Sequence, residues 1–573
     1  MKKKIGASLY WRNKMTLSVI QKKLKELCTD AYIATYGNRF IGQDILPSEH
    51  KLKYLCGFSG SAGMLAITPK QAFLFVDGRY ELQARQEVDL DKITVINEEP
   101  SFVNVCCFLQ KSGVEAVGYD GMTVSAAEKK AAEELFEKLD LIDVGDLTGL
   151  DCKKKVKVSE RPLKYTGKSR EKKIEAITEE LKKKDAGYYL LTAADSVSWL
   201  LNIYAEDLAC SPVVRAYALI DKKGKAILIG NNLQTDLPVW TFEHLAEWLE
   251  NSQSVIIYDA STAPTALATK PTNGRNVRDI CQILKAEKNE TEIKGMIACH
   301  ERDGIALVKL LYWLHNNWRG KTELDVVQKL HELRKEQNLF FEESFETIAG
   351  AAENGAVVHY QPIEKSNRRL QENNLLLLDS GGQYFDGTTD VTRTVALGTP
   401  TADMIHDFTL VLKGHIALAK AKFPLDTCGM RLDTLARAPL WQEGKDFKHG
   451  TGHGVGCFGN VHEGPNRISS GGSLYGFKPN MVTSIEPGYY KENAYGIRIE
   501  NLYYSKRTEQ NSEFLEFETL TLVPIDKRLI DAYLLDAGER DWLNAYHKKV
   551  YERLAACVND DEKKWLKESC SPL

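Results

Sequence analysis

Residues 375–395 contain two aspartates whose spacing suits metal or acid–base chemistry. The apolar run Leu375–Leu378 ends at Asp379, and Asp390 follows 11 residues later at the start of a second strand-like run. The pair Asp386–Gly387 predicts a turn, so a hairpin-like return would place the two carboxylates side by side. Neighbouring carboxylates repel each other unless a cation or a proton lies between them. Taken alone, the segment also fits a solvated turn capped by aspartates.

Residues 449–465 form a second candidate segment, HGTGHGVGCFGNVHEGP. Five glycines separate His449 from His462, and His453 lies among them. Neutral imidazole is the commonest metal ligand, and glycine lets the backbone approach a crowded site. A lone histidine here would more often be structural. Three histidines within 14 positions favour a functional site.

The third candidate segment carries two glutamates. Glu486 ends an apolar strand just before Pro487–Gly488, and Glu500 follows 14 residues later. We expect one continuous strand there, with Gly496, Arg498 and Glu500 on one face and isoleucines on the other. That polar face could equally be the solvent side of the strand.

Taken together, the three segments supply a set of metal ligands that none of them indicates alone: Asp379, Asp390, His453, Glu486 and Glu500. Four carboxylates and one imidazole suit a pair of hard divalent ions such as Mn²⁺, and suit Zn²⁺ less specifically. Two ions about 3.5–4 Å apart would lower the pKa of a bridging water and polarise a carbonyl group. Four carboxylates would balance two dications, so a bridging hydroxide would be tolerated.

The elements that must position these residues fall into three blocks. With 573 residues, the chain is too long for a single core. We place the blocks at 1–155, 156–286 and 287–573, with the lysine run 153–155 marking the first boundary. The first two blocks share an order of helix, strand, turn and paired strands, which indicates a weak internal duplication. Alternating helices and strands predict an α/β or α+β protein.

The third block should hold most of the helical framework around the site. Apolar residues from Ile293 to Leu314 recur at helical spacing and predict a long amphipathic helix. Thr322 followed by Asp325 predicts a capping box for the next helix. Short strands and glycine-rich turns follow as far as Ile525, and the tail to Leu573 is predicted to be mainly helical.

Composition argues against several other classes of protein. Lys+Arg 75 and Asp+Glu 79 are nearly balanced, so neither a nucleic-acid surface nor an anionic membrane surface is indicated. The 12 cysteines are scattered without a CxxC pair, which predicts free thiols in a reducing compartment. The basic opening lacks an apolar stretch of secretory-signal length, and no run is long enough to span a bilayer. We therefore expect a cytoplasmic protein.

At these residues the sequence resembles the pita-bread metallopeptidases, and within them the aminopeptidase P family, also called Xaa-Pro aminopeptidases. The resemblance covers nearly the whole chain. Besides the three site segments, it rests on GFSGSAG at 57–63, DGRYELQA at 77–84, ETIAG at 346–350, VVHY at 357–360 and LTLVPI at 520–525. It implies two creatinase-like domains followed by a pita-bread catalytic domain. The implied activity is release of the first residue of peptides whose second residue is proline.

The resemblance also implies a role for individual residues. Asp379 would bind one metal, His453 and Glu486 the other, and Asp390 and Glu500 both. Glu486 would also move a proton during attack of the bridging hydroxide. The implied substrate-binding residues are Arg79, His359, His449, His453, His462 and Arg498, with His359 and His462 also stabilising the intermediate. Such enzymes are usually homodimers.

Related functions are less consistent with these residues. A prolidase, which cuts only dipeptides, would lack the extra domain and the LTLVPI segment. Methionine aminopeptidase would be much shorter, and creatinase lacks the metal ligands. A catalytically silent pita-bread binding protein would have lost ligands and would often carry long charged tails. Ahead of VVHY, this chain lacks the proline that the family places before Asn-Gly, which bears on substrate preference.

Overall fold

The computed structural model describes residues 16–42, 45–150, 154–471 and 473–573. The chain divides into two compact units. The first unit comprises residues 1–159, 171–200 and 214–280, and the second comprises residues 160–170, 201–213 and 281–573. The basic opening of the chain and the first lysine of the 153–155 run, both used in the sequence analysis, lie outside the described residues.

The first unit contains two six-stranded mixed sheets. The strands of the first sheet, in chain order, are Ala31–Thr35, Met64–Ile67, Ala72–Val76, Ile93–Asn97, Ala116–Tyr119 and Asp140–Asp143. Those of the second are Tyr188–Leu191, Tyr217–Asp221, Ala226–Ile229, Val239–Trp240, Ile256–Tyr258 and Gly274–Asn276. The paired strands predicted in each block are confirmed, two of them in the first sheet and two in the second.

The two sheets share one topology. Counted within each sheet, the strand order across it is 4-3-2-1-5-6. In both sheets the first three strands pair antiparallel and the remaining pairs are parallel. The predicted similarity in element order is therefore confirmed.

Residues 16–286 also form a series of helices. In chain order they are Leu17–Lys23, Lys51–Cys56, Glu81–Glu87, Phe102–Lys111, Ala126–Leu135, Leu163–Thr166, Arg170–Lys183, Ala194–Leu201, Phe242–Asn251, Thr265–Ala268 and Ile280–Ala286. Short two-residue strands occur at Val156–Lys157, Ser159–Glu160, Ile203–Tyr204 and Leu233–Gln234. Helix Ala126–Leu135 begins at a capping box made by Ser125 and Glu128, whose side chains satisfy backbone N–H groups of the first turn.

The second unit is built from small antiparallel sheets. One three-stranded sheet contains Phe340–Glu343, Gly382–Tyr384 and Gly387–Thr388, and another contains Ile348–Ala351, Asn374–Ser380 and Val391–Leu397. A four-stranded sheet contains, in spatial order, Lys422–Pro424, Phe514–Thr519, Asn501–Arg507 and Val482–Ile485. Two-stranded pairs are formed by Gly452–His453 with Arg467–Ile468 and by Gly488–Lys491 with Tyr495–Arg498.

Helices of the second unit pack against these sheets. They are Glu290–Asn317, Glu323–Lys335, Ala402–Ala419, Met430–Trp441, Ala537–Leu554 and Asp560–Ser569, with short 3-10 turns at Ala352–Ala356 and Lys527–Leu529. The predicted long helix, the Thr322–Asp325 capping box and the helical tail are all confirmed. Leu376 and Leu378 share a core cluster with Leu310, whereas Leu375 packs in a different cluster with Phe408. Burial on both faces explains the unbroken apolar run that ends at Asp379.

One expectation about the third segment is wrong. The predicted single strand through Glu500 ends at Arg498, and a new strand begins at Asn501. Arg498 pairs with Gly488 in a hairpin, whereas Asn501 pairs with Ile485 in a different sheet. The chain changes sheets at Ile499–Glu500, and alternation alone cannot reveal such a change.

Two further properties follow from the described residues. Eleven cysteines lie there and all of them are free, as predicted. No helix in the described ranges has the length and apolar character needed to cross a bilayer.

Candidate metal centre

The five predicted ligands occupy strand ends and the junctions between strands. Asp379 lies on Asn374–Ser380 opposite Thr392 of the neighbouring antiparallel strand, and Asp390 immediately precedes that neighbouring strand. His453 ends the short strand that it shares with Gly452. Glu486 directly follows Val482–Ile485, and Glu500 sits at the change between sheets. Such positions let side chains from different sheets meet.

Three of these side chains converge on one point. Asp390, His453 and Glu500 each offer a ligand atom, and these atoms all lie within 4.8 Å of one another. The His453 Nε2 atom lies 3.5 Å from Asp390 Oδ2 and 3.4 Å from Glu486 Oε1. His453 Nδ1 lies 3.0 Å from the carbonyl oxygen of Gly454. A proton on Nδ1 would be donated to that carbonyl, which leaves Nε2 as the lone-pair nitrogen that a metal ligand requires.

The backbone around His453 is unusually close to neighbouring chain. A Cβ atom on Gly452 would lie 2.1 Å from the carbonyl oxygen of Ser484, so only glycine fits there. The Ser484 hydroxyl accepts the His453 backbone N–H and donates to Glu486 Oε1 at 3.2 Å. One serine therefore fixes both His453 and Glu486.

Two buried carboxylate oxygens at the centre have no hydrogen-bond partner. Glu500 Oε2 accepts the Thr392 hydroxyl at 2.7 Å, and Asp379 Oδ2 accepts Arg498 Nη2 at 2.5 Å. The other oxygens, Glu500 Oε1 and Asp379 Oδ1, are buried without a partner. A buried polar atom left unpaired is costly, so each needs a proton or a cation.

The pKa values of the carboxyl groups reflect the same crowding. Burial, followed by the charges of Asp379 and Glu486, holds the pKa of Asp390 well above its usual value. Burial and then the charge of Asp390 raise the pKa of Glu500 well above its usual value, and burial also raises that of Glu486. Acidic groups that cannot all be ionised together fit a site built for cations, because divalent ions remove the repulsion.

Arg498 connects Asp379 to the surroundings of two predicted substrate-binding residues, His449 and His359. Besides Asp379, its guanidinium donates to the Tyr490 hydroxyl at 2.6 Å and to the carbonyl oxygen of Val358 at 3.4 Å. Tyr490 in turn lies 2.8 Å from His449 Nε2. His449 Nδ1 lies 2.8 Å from its neighbour's carbonyl oxygen, so both ring nitrogens are engaged. Burial, and then the charge of Arg498, hold the pKa of His449 well below its usual value.

His359 lies in a turn that is held by a buried carboxylate. Glu323 is fully buried and accepts the backbone N–H groups of Ala351 and Arg368 and the side chains of Asn354 and Tyr360. The residues that donate these bonds lie both before and after His359 in the chain, so they hold the turn that contains it. The charge of His359 also contributes to lowering the pKa of His449.

His462 stands beside the centre with its side chain exposed. Its ring meets that of His453 edge to face, with 4.3 Å between the ring centroids. The next residue, Glu463, is buried and paired with Lys285 at 2.8 Å and Lys288 at 2.6 Å. This anchor holds the segment while leaving the His462 ring accessible.

Arg79, the remaining predicted site residue, lies in the first unit. Its guanidinium donates to both carboxylate oxygens of Asp77, at 2.9 and 2.7 Å. It also lies over the Tyr80 ring, 5.5 Å from the centroid. The two contacts hold the guanidinium in a fixed orientation on its own unit.

Comparison with known proteins identifies the family. Metallopeptidase family M24 matches residues 294–507, and the C-terminal region of that peptidase family matches 513–573. Two creatinase/prolidase N-terminal domains match residues 17–149 and 152–292. A probable Xaa-Pro aminopeptidase P of Laccaria bicolor is 35% identical over 97% of this chain and 93% of its own length. The chain belongs to metallopeptidase family M24, in its aminopeptidase P group.

Other members of the group are equally complete matches. A probable Xaa-Pro aminopeptidase P of Paracoccidioides brasiliensis is 34% identical and covers 97% of this chain and 98% of its own. The X-prolyl aminopeptidase of Caenorhabditis elegans, a cytosolic enzyme with a di-nuclear active site, is 32% identical with a TM-score of 0.90. The match covers 95% of this chain and 95% of the Caenorhabditis elegans chain. The predicted fold, creatinase-like domains and a pita-bread catalytic domain, is thereby confirmed.

Sequence analysis missed one residue that connects this M24 centre to its C-terminal region. Arg393 is buried and donates to the carbonyl oxygens of Thr392 and Glu500, both within 2.8 Å. It also donates to the carbonyl oxygen of Val523 and to the Tyr546 hydroxyl, each at 2.8 Å. A charged residue inside the apolar run after Asp390 was the available signal, because a buried arginine must find acceptors.

Proposed function

We propose that this protein is a metal-dependent aminopeptidase that hydrolyses the bond between the first residue and a proline at the second position of peptides. The observation that carries the proposal is the convergence of Asp390, His453 and Glu500, with the lone-pair nitrogen of His453 directed at carboxylate oxygens. Membership of the aminopeptidase P group supports the same assignment.

The metal ligands fall into single-ion and shared residues. Asp379 would hold one ion, His453 and Glu486 the other, and Asp390 and Glu500 both. We assign Mn²⁺ because four of the five ligands are hard oxygen donors. Two such ions would supply Lewis-acid chemistry, which activates a water molecule and polarises the scissile carbonyl. The unpaired oxygens of Asp379 and Glu500 support two ions rather than one.

The remaining site residues would act on the proton and on the substrate. Glu486 would receive the proton from the attacking water and pass it to the leaving proline nitrogen. The exposed ring of His462 is available to the developing negative charge of the intermediate. Since both nitrogens of His449 are already bonded, we assign it, with His359, to the shape of the proline pocket. Arg498 would fix that pocket, and Arg79 would bind peptide.

The proposal extends to domain organisation and setting. We assign 1–155 and 156–286 to creatinase-like domains and 287–573 to the catalytic domain with its C-terminal extension. The enzyme would work in the cytoplasm as a homodimer, with peptides as partners and no nucleic acid or membrane. Sedimentation analysis at micromolar concentration should give twice the mass of the chain, and a monomer would remove that part of the proposal.

One digestion experiment tests the activity. Purified protein loaded with Mn²⁺ is incubated with Xaa-Pro-Yaa, Xaa-Ala-Yaa and Xaa-Pro peptides, and the products are read by mass spectrometry. We expect cleavage before proline in the first peptide and little cleavage of the other two. Preferential cleavage of Xaa-Ala-Yaa would overturn the proposal, and cleavage of the dipeptide alone would identify a prolidase.

A matched variant separates this chemistry from contaminating peptidases. Glu486→Gln should lower kcat by more than about a hundredfold, on the scale of lost acid–base help. Elemental analysis of the same preparations measures bound metal. Active wild-type protein that contains no divalent metal would contradict the metal assignment.

A further inference from the structure

A cavity of about 370 Å³ lies beside the segment that carries His449. Its walls come from residues 446–450, which precede the His453 strand, from Arg467 of the partner strand, and from residues 469–471, which follow that partner strand. The charged side chains that line it are Arg437, Asp446, Lys448 and Arg467. None of the roles assigned above uses this cavity.

Only part of this charge is neutralised locally. The buried Arg437 donates to Asp433, to Asp446 at 2.8 Å, and to the backbone carbonyl oxygens of Phe447 and His449. The Arg437 guanidinium is therefore shared between two carboxylates, those of Asp433 and Asp446. Lys448 and Arg467 are exposed, and neither forms an ion pair or a side-chain hydrogen bond within the described ranges. The cavity thus carries an excess of positive charge that suits an anionic group.

The cavity is connected to the candidate metal centre by a backbone strand pairing. Arg467 is the direct cross-strand partner of His453 in an antiparallel pair. Side chains of such partners project from the same face of the ribbon. The Arg467 side chain leads toward Gly450, where its Nε lies 3.6 Å from the position that a Cβ would take. Gly450 in turn follows His449. The backbone of Arg467 is therefore paired with the predicted metal ligand His453, while its side chain extends to the residue beside His449, which we assign to the proline pocket.

We propose that Lys448 and Arg467 form a subsite for a carboxylate of the peptide substrate on the far side of the proline. The inference rests on the proposed function, in which His449 borders the proline ring. A peptide continuing past that ring reaches the cavity wall formed by residues 448–450. The carboxylate is either the C-terminus of a tripeptide Xaa-Pro-Yaa or an acidic side chain at the position of Yaa. In both cases the two cations act as charge partners and hydrogen-bond donors.

Matched peptides test the subsite on the metal-loaded protein. One pair is Xaa-Pro-Yaa with a free carboxylate or a C-terminal amide. A second pair, amidated at its end, carries Glu or Gln at Yaa. We expect wild-type protein to favour the charged member of at least one pair about three- to fivefold in kcat/KM, mainly through KM, which is the scale of partly exposed ion pairs. Whichever pair shows the preference identifies the source of the carboxylate.

Variants connect that preference to the two cations. In the double variant Lys448→Gln, Arg467→Gln, the ratio between charged and neutral peptides should fall to about one. Lys294→Gln removes an exposed lysine from helix Glu290–Asn317, where its side chain is 79% exposed, and should keep the wild-type ratio. Raising the salt concentration should reduce the wild-type ratio, because exposed charges are screened.

A binding arm keeps the subsite testable apart from catalysis. Calorimetric titration into metal-loaded protein uses two product pairs, Pro-Yaa with Pro-Yaa-amide and Pro-Glu-amide with Pro-Gln-amide. The charged member of at least one pair should bind more tightly, and the double variant should lose the difference. Equal ratios in wild-type and double-variant protein, in both the kinetic and binding arms, would overturn the subsite. Absence of cleavage before proline together with a retained binding difference would instead sink the proposed activity alone.

Discussion

Buried ion pairs of the first unit and the carboxylate cluster of the second unit treat charge in opposite ways. In the first unit, the buried Lys51 lies 2.9 Å from Asp120 and 3.4 Å from Asp146, and Arg215 lies 2.9 Å from Glu49. Both of these cations have their counter-charge from the chain itself. In the candidate metal centre of the second unit, four carboxylates lie close together, and one of them, Asp379, is paired with the Arg498 guanidinium.

The difference separates structural charges from charges reserved for a ligand. A buried ion pair that is complete within the chain gains nothing from an added ion. A carboxylate cluster with orphaned oxygens and raised pKa values is completed only by cations or protons. Removing one carboxylate should therefore have opposite effects on stability in the two places.

The largest expected effect is at a shared ligand. Asp390→Asn should lower kcat/KM by more than about a thousandfold, because both ions lose a ligand. Without metal, the same variant should be more stable than wild type by about 1 kcal/mol, because one source of repulsion is gone. Activity assays and urea unfolding in chelator measure the two effects. A metal-free variant that is less stable than wild type would break the comparison.

The opposite result is expected in the first unit. Asp120→Asn should destabilise the protein by about 3 kcal/mol, because it leaves Lys51 buried beside a weaker partner. Bound metal per molecule should not change. Asp140→Asn, an exposed position in the same sheet, is the control and should stay within about 0.5 kcal/mol of wild type. Equal unfolding midpoints in urea for the two variants would show that the Lys51 pair contributes nothing.

Glu323 tests what decides whether the loss of a buried carboxylate stabilises or destabilises the protein: proximity to the candidate metal centre, or satisfaction of the carboxylate's hydrogen bonds. It lies in the second unit, yet four donors satisfy it without metal. Glu323→Gln should destabilise the protein by about 2 kcal/mol, since an amide cannot accept all four bonds. Displacement of His359 should also lower kcat/KM about tenfold.

The exposed Glu332 on the same helix provides the control for that variant. Glu332→Gln should leave both stability and kcat/KM close to wild type. If Glu323→Gln stabilised metal-free protein as Asp390→Asn should, satisfaction of hydrogen bonds would not be the deciding factor.

The smallest effect concerns a buried group that stays neutral. Burial lowers the pKa of His415 to about 3, while its ring contacts the Ile499 carbonyl oxygen and the Tyr503 hydroxyl. The unfolded chain takes up a proton near pH 6.5 and the folded chain does not, so this contribution to stability is lost as pH falls below about 6.5. The destabilisation caused by His415→Asn should therefore shrink by about 1 kcal/mol per pH unit between pH 6 and 4. A pH-independent difference in urea would contradict the low pKa.

Local patterns predicted much of this molecule. The paired strands of the first block, the long helix through Ile293 and Leu314, and the hairpin-like return to Asp390 each depend on neighbours in sequence. The convergence of Asp390, His453 and Glu500 was inferred from residue types, because carboxylates beside an imidazole suit few other roles.

What the sequence could not predict depends on distant contacts. Glu323 looks like an ordinary first-turn acid after a capping threonine, and nothing local indicates that it holds the His359 turn. The change of sheet at Glu500 is hidden for the same reason, since alternation continues through it. Arg498 was expected on a strand face, but its bonds to Asp379 and Tyr490 join residues 119 and 8 positions away.

The bonds of Arg393 limit how far this enzyme could be trimmed. Its guanidinium ties the peptide of Glu500 to Val523 and to Tyr546 of the helix Ala537–Leu554. Tyr546 also returns a hydrogen bond to the Val523 carbonyl oxygen, which closes the loop of contacts. A chain ended before Tyr546 would remove one acceptor of a buried guanidinium that also binds the backbone of Glu500. The helix Ala537–Leu554 is thus part of the smallest unit that can be engineered, circularised or fused without disturbing the candidate metal centre.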